Sequence, residues 1–249
     1  MQIRPSEYLN NGFSLMKTNY RALFLPAFLN SLMFFLLGAL TLVFSTNTPL
    51  MIGLGLVGLI ALYLSCKLTI CEALTIQNIR MQRPTDFKNT YILSEIYTPQ
   101  YIGIYILYFL MISPVLFALG LTFRSVPITT FAPVIMFLTL PLLQFAPLSV
   151  VFDSSRDKRF RFSFNLVKKH LPAVYILFFM SITIFKIPDV LFSVVFPHPG
   201  IILSHISNLI SCLIYLISMP FALCIQIPLF FNLKEFLEPN PIDTPDFEQ

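Results

Sequence analysis

Six apolar runs separated by polar segments make up most of this chain. Residues 22–44 hold no charged side chain, and further apolar runs cover 50–70, 101–123, 128–152, 173–196 and 201–231. A helix rising 1.5 Å per residue needs about 20 apolar residues to cross a bilayer, so each run predicts a transmembrane helix. The segments between runs alternate in length. Those at 45–49, 124–127 and 197–200 are short turns, whereas 71–99 and 153–172 are long, mixed and charged. Pro84 can start a short helix in the first long segment. Prolines also lie inside the runs: Pro114 in the third, Pro133, Pro141 and Pro147 in the fourth, Pro220 and Pro228 in the sixth. They predict kinks and freed carbonyls, which neighbouring helices or waters must satisfy.

Two of the polar segments have helical periodicity. Leu9, Phe13, Met16 and Tyr20 share one face of residues 5–20, and Glu7, Asn10, Ser14 and Lys17 another, the pattern of a helix lying on the membrane surface. Residues 147–172 read PLSVVFDSSRDKRFRFSFNLVKKHLP. A membrane helix ends at Phe152, a loop follows, and a basic amphipathic helix lies on the same face before the chain returns to the bilayer. The fold class is therefore all-α and polytopic, with six transmembrane helices and amphipathic interfacial helices. Residues 1–232 form the membrane domain, and 233–249, polar and acidic, are expected to be a disordered tail.

Composition agrees with this. Hydrophobic residues make up 56% of the chain and charged ones 11%, with a mean hydropathy of +0.78; soluble domains carry about 25% charged residues. Tryptophan is absent, so an interfacial aromatic belt must be built from tyrosine. The net charge of +4 matters less than its placement: all of the Lys and Arg residues except Arg124 and Lys186 fall on one face of the six-helix layout. The positive-inside rule then makes both termini cytoplasmic. No short apolar core with a cleavage site stands at the start, so the first membrane helix is expected to act as an uncleaved targeting signal. Cys66, Cys71, Cys212 and Cys224 lie in apolar runs without CxxC spacing and read as reduced, buried hydrophobes.

The N-terminal segment recurs. GFSLMKTNYRALFL at 12–25 aligns without gaps to SFNLVKKHLPAVYI at 163–176, pairing Phe13 with Phe164, Leu15 with Leu166, Lys17 with Lys168 and Ala22 with Ala173. The middle segment, with Phe87 and Tyr91, reads as a degenerate third copy. Three units of roughly 75 residues follow, each a surface helix and a membrane hairpin of the length a bilayer requires.

APLSVVFD at 146–153, FSFNLVKKHLPAV at 162–174 and SNLIS at 207–211 resemble the YciC-type bacterial inner-membrane proteins. That family is similar in turn to the membrane domain fused to some glycerophosphodiester phosphodiesterases; the soluble phosphodiesterase domain has no counterpart here. The resemblance covers mainly residues 140–215 and implies a six-span protein of a bacterial inner membrane. It supplies no catalytic residues.

Candidate chemistry is sparse. Arg156, Lys158, Arg159, Arg161, Lys168 and Lys169, against Asp153 and Asp157, form a basic cluster suited to anionic lipid headgroups, at about 1 kcal/mol per basic residue near the surface. The same cluster also serves as a topology signal. A segment pinned to a membrane in a chain of low net charge does not point to nucleic acid. Lys186 and Asp189 stand at i and i+3 within the fifth run: either a local ion pair at the outer interface or a solute or proton site in a water-filled cavity. Lys67 and Glu72 read as interfacial, and Gln144, Asn208 and Gln226 as amides bridging helices. No Ser-His-Asp set, HExxH or phosphate-binding glycine loop occurs, and no His pair has a carboxylate at ligand spacing, so no cofactor and no metal is expected. The expected role is non-enzymatic, a lipid-associated or scaffold protein with membrane lipids as partners. The alternative is a transporter or channel subunit with a cavity at Lys186 and Asp189.

Overall fold

The structure, a computed structural model, describes residues 3–44, 48–122, 138–153, 158–181 and 201–238, with Ile135 and Val195. Seven helices form among them: α1 (Pro5–Phe44), α2 (Thr48–Arg80), α3 (Phe87–Thr122), α4 (Leu138–Phe152), α5 (Arg159–Val167), α6 (Leu171–Ser181) and α7 (Ile201–Leu237). Helices α1, α2, α3 and α7 are long and apolar enough to cross a membrane; α4 and α6 are shorter apolar helices. The chain is a membrane-embedded helical protein.

Several helices outrun the bilayer. The 40 residues of α1 extend about 60 Å at 1.5 Å each, against roughly 30 Å of hydrocarbon. The segment 5–20 is helical as expected, set off from the membrane helix by a kink. It is the first part of α1, bent at Asn19, whose side-chain amide donates to the Leu15 carbonyl at 3.0 Å. Of its apolar face Phe13 is exposed, as a membrane-facing side chain is, whereas Met16 turns into the bundle with Gly12 and Leu23. The reason is close packing on α7. A Cβ at Gly12 would sit 2.6 Å from Ile225 Cγ1, and Asn232 donates to the Tyr8 hydroxyl at 2.7 Å.

The segment 71–99 is likewise mostly helix. α2 continues to Arg80 and stops in a Schellman-type turn, with Gln82 left-handed at φ 54° and the Arg83 N–H on the Asn78 carbonyl at 2.8 Å. Pro84 follows that stop and starts no helix. Asp86 caps α3 instead, accepting from the Lys88 N–H at 3.2 Å. At the other end α7 runs to Leu237, past the boundary expected at 232. The tail beyond 238, Arg156, Lys186, Asp189 and the outer turns lie outside the described residues.

Neighbouring helices run antiparallel, and burial along them is uneven. Asn30 meets Thr69, Lys67 meets Glu95, Cys71 meets Thr90 and Gly12 meets Ile225. These contacts bring the start of α1, the end of α2, the start of α3, the ends of α4 and α7, and α5 to one end, which also carries the basic residues. The buried core lies there. Phe230 packs against Phe145, Phe152, Phe162 and Phe231 with ring centroids 5.4–6.3 Å apart. Towards the other end Leu56, Leu59, Phe117 and Ile202 are exposed, as lipid-facing side chains are.

The repeat is visible in this packing. Gly12, Met16, Leu23, Pro26, Ala27 and Asn30 are buried, and so are their counterparts 151 positions on, Ser163, Val167, Val174, Leu177, Phe178 and Ser181. Phe13, Lys17, Leu25 and Phe28 are exposed, as are Phe164, Lys168, Ile176 and Phe179. A shift of 78 places buried Thr90, Ser94, Tyr101, Ile104 and Tyr108 on Gly12, Met16, Leu23, Pro26 and Asn30. Phe87 and Tyr91 then stand opposite Leu9 and Phe13. Each copy puts a small or hydroxylic residue, Gly12, Thr90 or Ser163, where it meets a neighbouring inner helix, α7, α2 or α4.

Candidate functional site

Proline shapes the interior. Pro147 has no N–H for the Leu143 carbonyl and its ring crowds that carbonyl, so α4 breaks into a turn at Gln144. The groups released are satisfied from α5: Ser163 Oγ accepts the Phe145 N–H at 3.2 Å and donates to the Leu142 carbonyl at 2.8 Å. Beside this break lies a cavity of about 240 Å³. Its walls are Tyr101, Ile104, Tyr105 and Tyr108 of α3, Leu140, Leu143, Gln144, Pro147 and Leu148 of α4, Phe160, Phe178, and Met219, Ala222, Leu223 and Gln226 of α7. None of these residues is charged. Tyr101 and Tyr105 hydroxyls stand 3.5 Å apart, Tyr108 hydrogen-bonds Thr139 at 2.7 Å, and the buried Gln144 Oε1 has no partner. The space suits a neutral, largely apolar group that brings one hydrogen-bond donor; it exceeds the 150 Å³ or so that admits benzene.

The basic cluster divides in two. Arg159 turns inward. Its guanidinium donates to the Ser149 carbonyl at 2.7 Å, the Asp153 carbonyl at 3.3 Å and Gln100 Oε1 at 3.5 Å, closing the C-terminal end of α4. Asp153 also receives Lys234 of α7 at 3.1 Å with its own carboxylate largely buried. Lys158, Arg161, Lys168 and Lys169 stay at the surface; Lys168 donates to Asn165 at 3.1 Å and Lys169 lies over the Phe236 ring. These four, not Arg159, are positioned to meet an outside anion. His170, at the bend between α5 and α6, has a buried Nε2 without a partner; burial, with Lys169 nearby, holds its imidazole below the usual histidine range.

No protein-family model, curated protein or solved structure matches the chain. The geometry is therefore what bears on function.

Lys67 and Glu72, expected at the interface, are both buried in the bundle. Lys67 is enclosed, ion-paired with Glu95 at 3.0 Å and covered by the Tyr91 ring. Glu72 is entirely buried, because α2 runs through the packed end between α1, α3 and α7 and does not emerge at that point. Asn208 does bridge helices, donating to the Phe35 carbonyl at 3.0 Å. Gln144 and Gln226 line the cavity instead. The four cysteines are buried and form no disulfide, and among the described residues no three His, Cys, Asp or Glu side chains gather as metal ligands. The tyrosines of the cavity were legible as a signal, since Tyr101, Tyr105 and Tyr108 recur at i, i+4 and i+7 on one helical face. Glu72 was legible as the lone acid in the run SCKLTICEALTI.

Proposed function

We propose that this chain is a six-span, non-enzymatic protein of a bacterial inner membrane, related to the YciC-type proteins, that holds an anionic lipid at its cytoplasmic end. Both termini face the cytoplasm in this reading. The observation that carries it is the pairing of two features at one end of the bundle: an uncharged cavity beside the α4 break, and four outward cations on and beside α5. An acyl chain suits the first and a phosphate headgroup the second. Arg159 belongs to the fold in this reading and not to the lipid.

Native mass spectrometry of protein released gently from its own membrane tests it. Wild type should retain a stoichiometric anionic lipid. Gln at Lys158, Arg161, Lys168 and Lys169 together should abolish the preference for anionic over zwitterionic lipid, and Ala222→Phe, which fills the cavity, should lose the lipid. Retention unchanged in both variants refutes the proposal. A transporter or channel subunit is the second reading, favoured by the enclosed Glu72 carboxylate, which would place a site on α2.

A further inference from the structure

Glu72 is fully enclosed, and neither of its carboxylate oxygens has a hydrogen-bond partner. No cationic side chain among the described residues compensates it. Lys67, on another face of the same helix, is committed to Glu95 and the Tyr91 ring, and Arg80 lies over Phe231. The titratable groups that face Glu72 are Tyr215 and Cys224 of α7 and Cys71 of its own helix, none of them a cation. From α1 comes an amide, Asn30. It is also fully enclosed, and its Nδ2 donates to Thr69 Oγ1 at 3.4 Å, one turn before Glu72 on α2. Its Oδ1 is left without a partner. Tyr215 hydrogen-bonds the Asn30 side chain and is close enough to Glu72 to feel its charge.

Three acceptor oxygens, two on Glu72 and one on Asn30, are thus enclosed without a hydrogen-bond partner. A marginally stable fold does not carry an uncompensated carboxylate there. What the place lacks is a positive charge small enough to fit between packed helices. A divalent metal would need a further anionic ligand, and none is present among the described residues. We propose that Glu72, with Asn30 beside it, is a buried monovalent-cation site, occupied by a proton on the carboxyl or by a sodium ion between the carboxylate and the amide oxygen. Ionisable groups enclosed in a bundle are the usual carriers of protons and sodium.

The repeat supports this independently. Aligning α2 with α7 on Asn78 and Asn232, and on Arg80 and Lys234, sets Glu72 opposite Gln226. The third unit uses a neutral amide where the first uses the acid, so glutamine fits this register without a proton or an ion, and the acid is a departure with a chemical consequence.

The test is infrared difference spectroscopy of the full chain in lipid, wild type against Glu72→Gln, across the neutral pH range, with sodium exchanged for choline. If a proton is resident, wild type shows a neutral carboxylic-acid carbonyl band, absent from the variant and insensitive to sodium. If sodium is resident, adding it at constant pH converts that band to carboxylate bands, and choline does not. A wild-type spectrum with carboxylate bands only, unchanged by sodium, overturns the proposal. Should Glu72→Gln fail to accumulate, Tyr215→Phe and Cys224→Ser keep the carboxyl and alter its surroundings. Both should shift the band, and a band that neither moves does not belong to Glu72.

Discussion

Phe230→Ala tests whether the stability of this bundle resides at its basic end. The Phe230 ring is fully enclosed, with Phe231, Phe145, Phe152 and Phe162 around it at centroid distances of 5.4, 5.9, 5.9 and 6.3 Å. Those rings come from α4, α5 and α7, so the cavity left behind opens where three elements meet and none can close it alone. Burial of this kind puts the cost of Phe→Ala at about 3–5 kcal/mol. A chain of this size loses about 2–4 °C of melting temperature per kcal/mol, so the shift should be roughly 10 °C. The control is Phe117→Ala. Phe117 is 64% exposed on the outer part of α3, where lipid fills the space that truncation leaves, and the change should stay within about 0.5 kcal/mol. Thermal unfolding read by helical circular dichroism at one scan rate, in one lipid or detergent, compares the two; the chain has no tryptophan to report. Equal shifts would refute the view that the packed core sits at one end.

Arg159→Gln should destabilise the fold by about 1.5–3 kcal/mol, the range for charge-assisted hydrogen bonds to the α4 carbonyls, while Arg161→Gln should change melting little; similar melting temperatures would place Arg159 outside the fold. Gly38→Ala should cost about 1–2 kcal/mol, because a Cβ there would sit 2.6 Å from the Asn208 amide and push it off the Phe35 carbonyl; urea unfolding, compared with Gly55→Ala in open space, measures the difference. For His170 the sign follows from its lowered folded value. The unfolded imidazole takes a proton near its ordinary value of 6.5 while the folded one does not, so stability should fall as pH drops below about 6.5 and level off once the folded group titrates. Melting temperature against pH should lose that slope in His170→Gln, and an identical slope in both proteins would contradict the assignment.

The sequence announced the helices plainly because charge-free runs have little alternative to spanning a bilayer. It was less informative where the chain leaves hydrocarbon without leaving the fold. CEALTIQNIR at 71–80 lacks the hydropathy of a membrane run, yet it is made largely of good helix formers and continues α2 into the packed end. Helical periodicity identified a membrane-facing apolar side in residues 5–20 but not the side at Gly12 that admits the backbone of α7. Arg159 and Arg161 look alike in one basic run. Which of them turns inward depends on the end of α4, about ten residues earlier in the chain, folding back beside α5. The repeat was legible as weak identity and becomes firm only when burial is compared position by position.

That repeat also separates structure from function within the bundle. Positions occupied equivalently in all three units serve packing: Gly12, Thr90 and Ser163 each lie against an inner helix, while Phe13 and Phe164 are exposed. Three copies of one plan should leave an interior with threefold likeness, and the departures from it are few. The second unit breaks its inner helix at Pro147 and gains the cavity. The third carries the run of cations on its first helix; its bend between α5 and α6 matches the kink of α1 at Asn19. The first replaces a neutral amide by Glu72. Packing alone requires none of these three changes, and they cluster at the same end, within the best-packed part of the molecule. A site built there is held by rigid helices on every side. Variants at the equivalent packing positions should therefore alter stability with lipid selectivity intact, whereas variants at the three departures should alter binding with stability largely retained. Measuring both quantities on Ser163→Ala and Ala222→Phe separates the two classes, and a pair that shifts both quantities alike would deny the division.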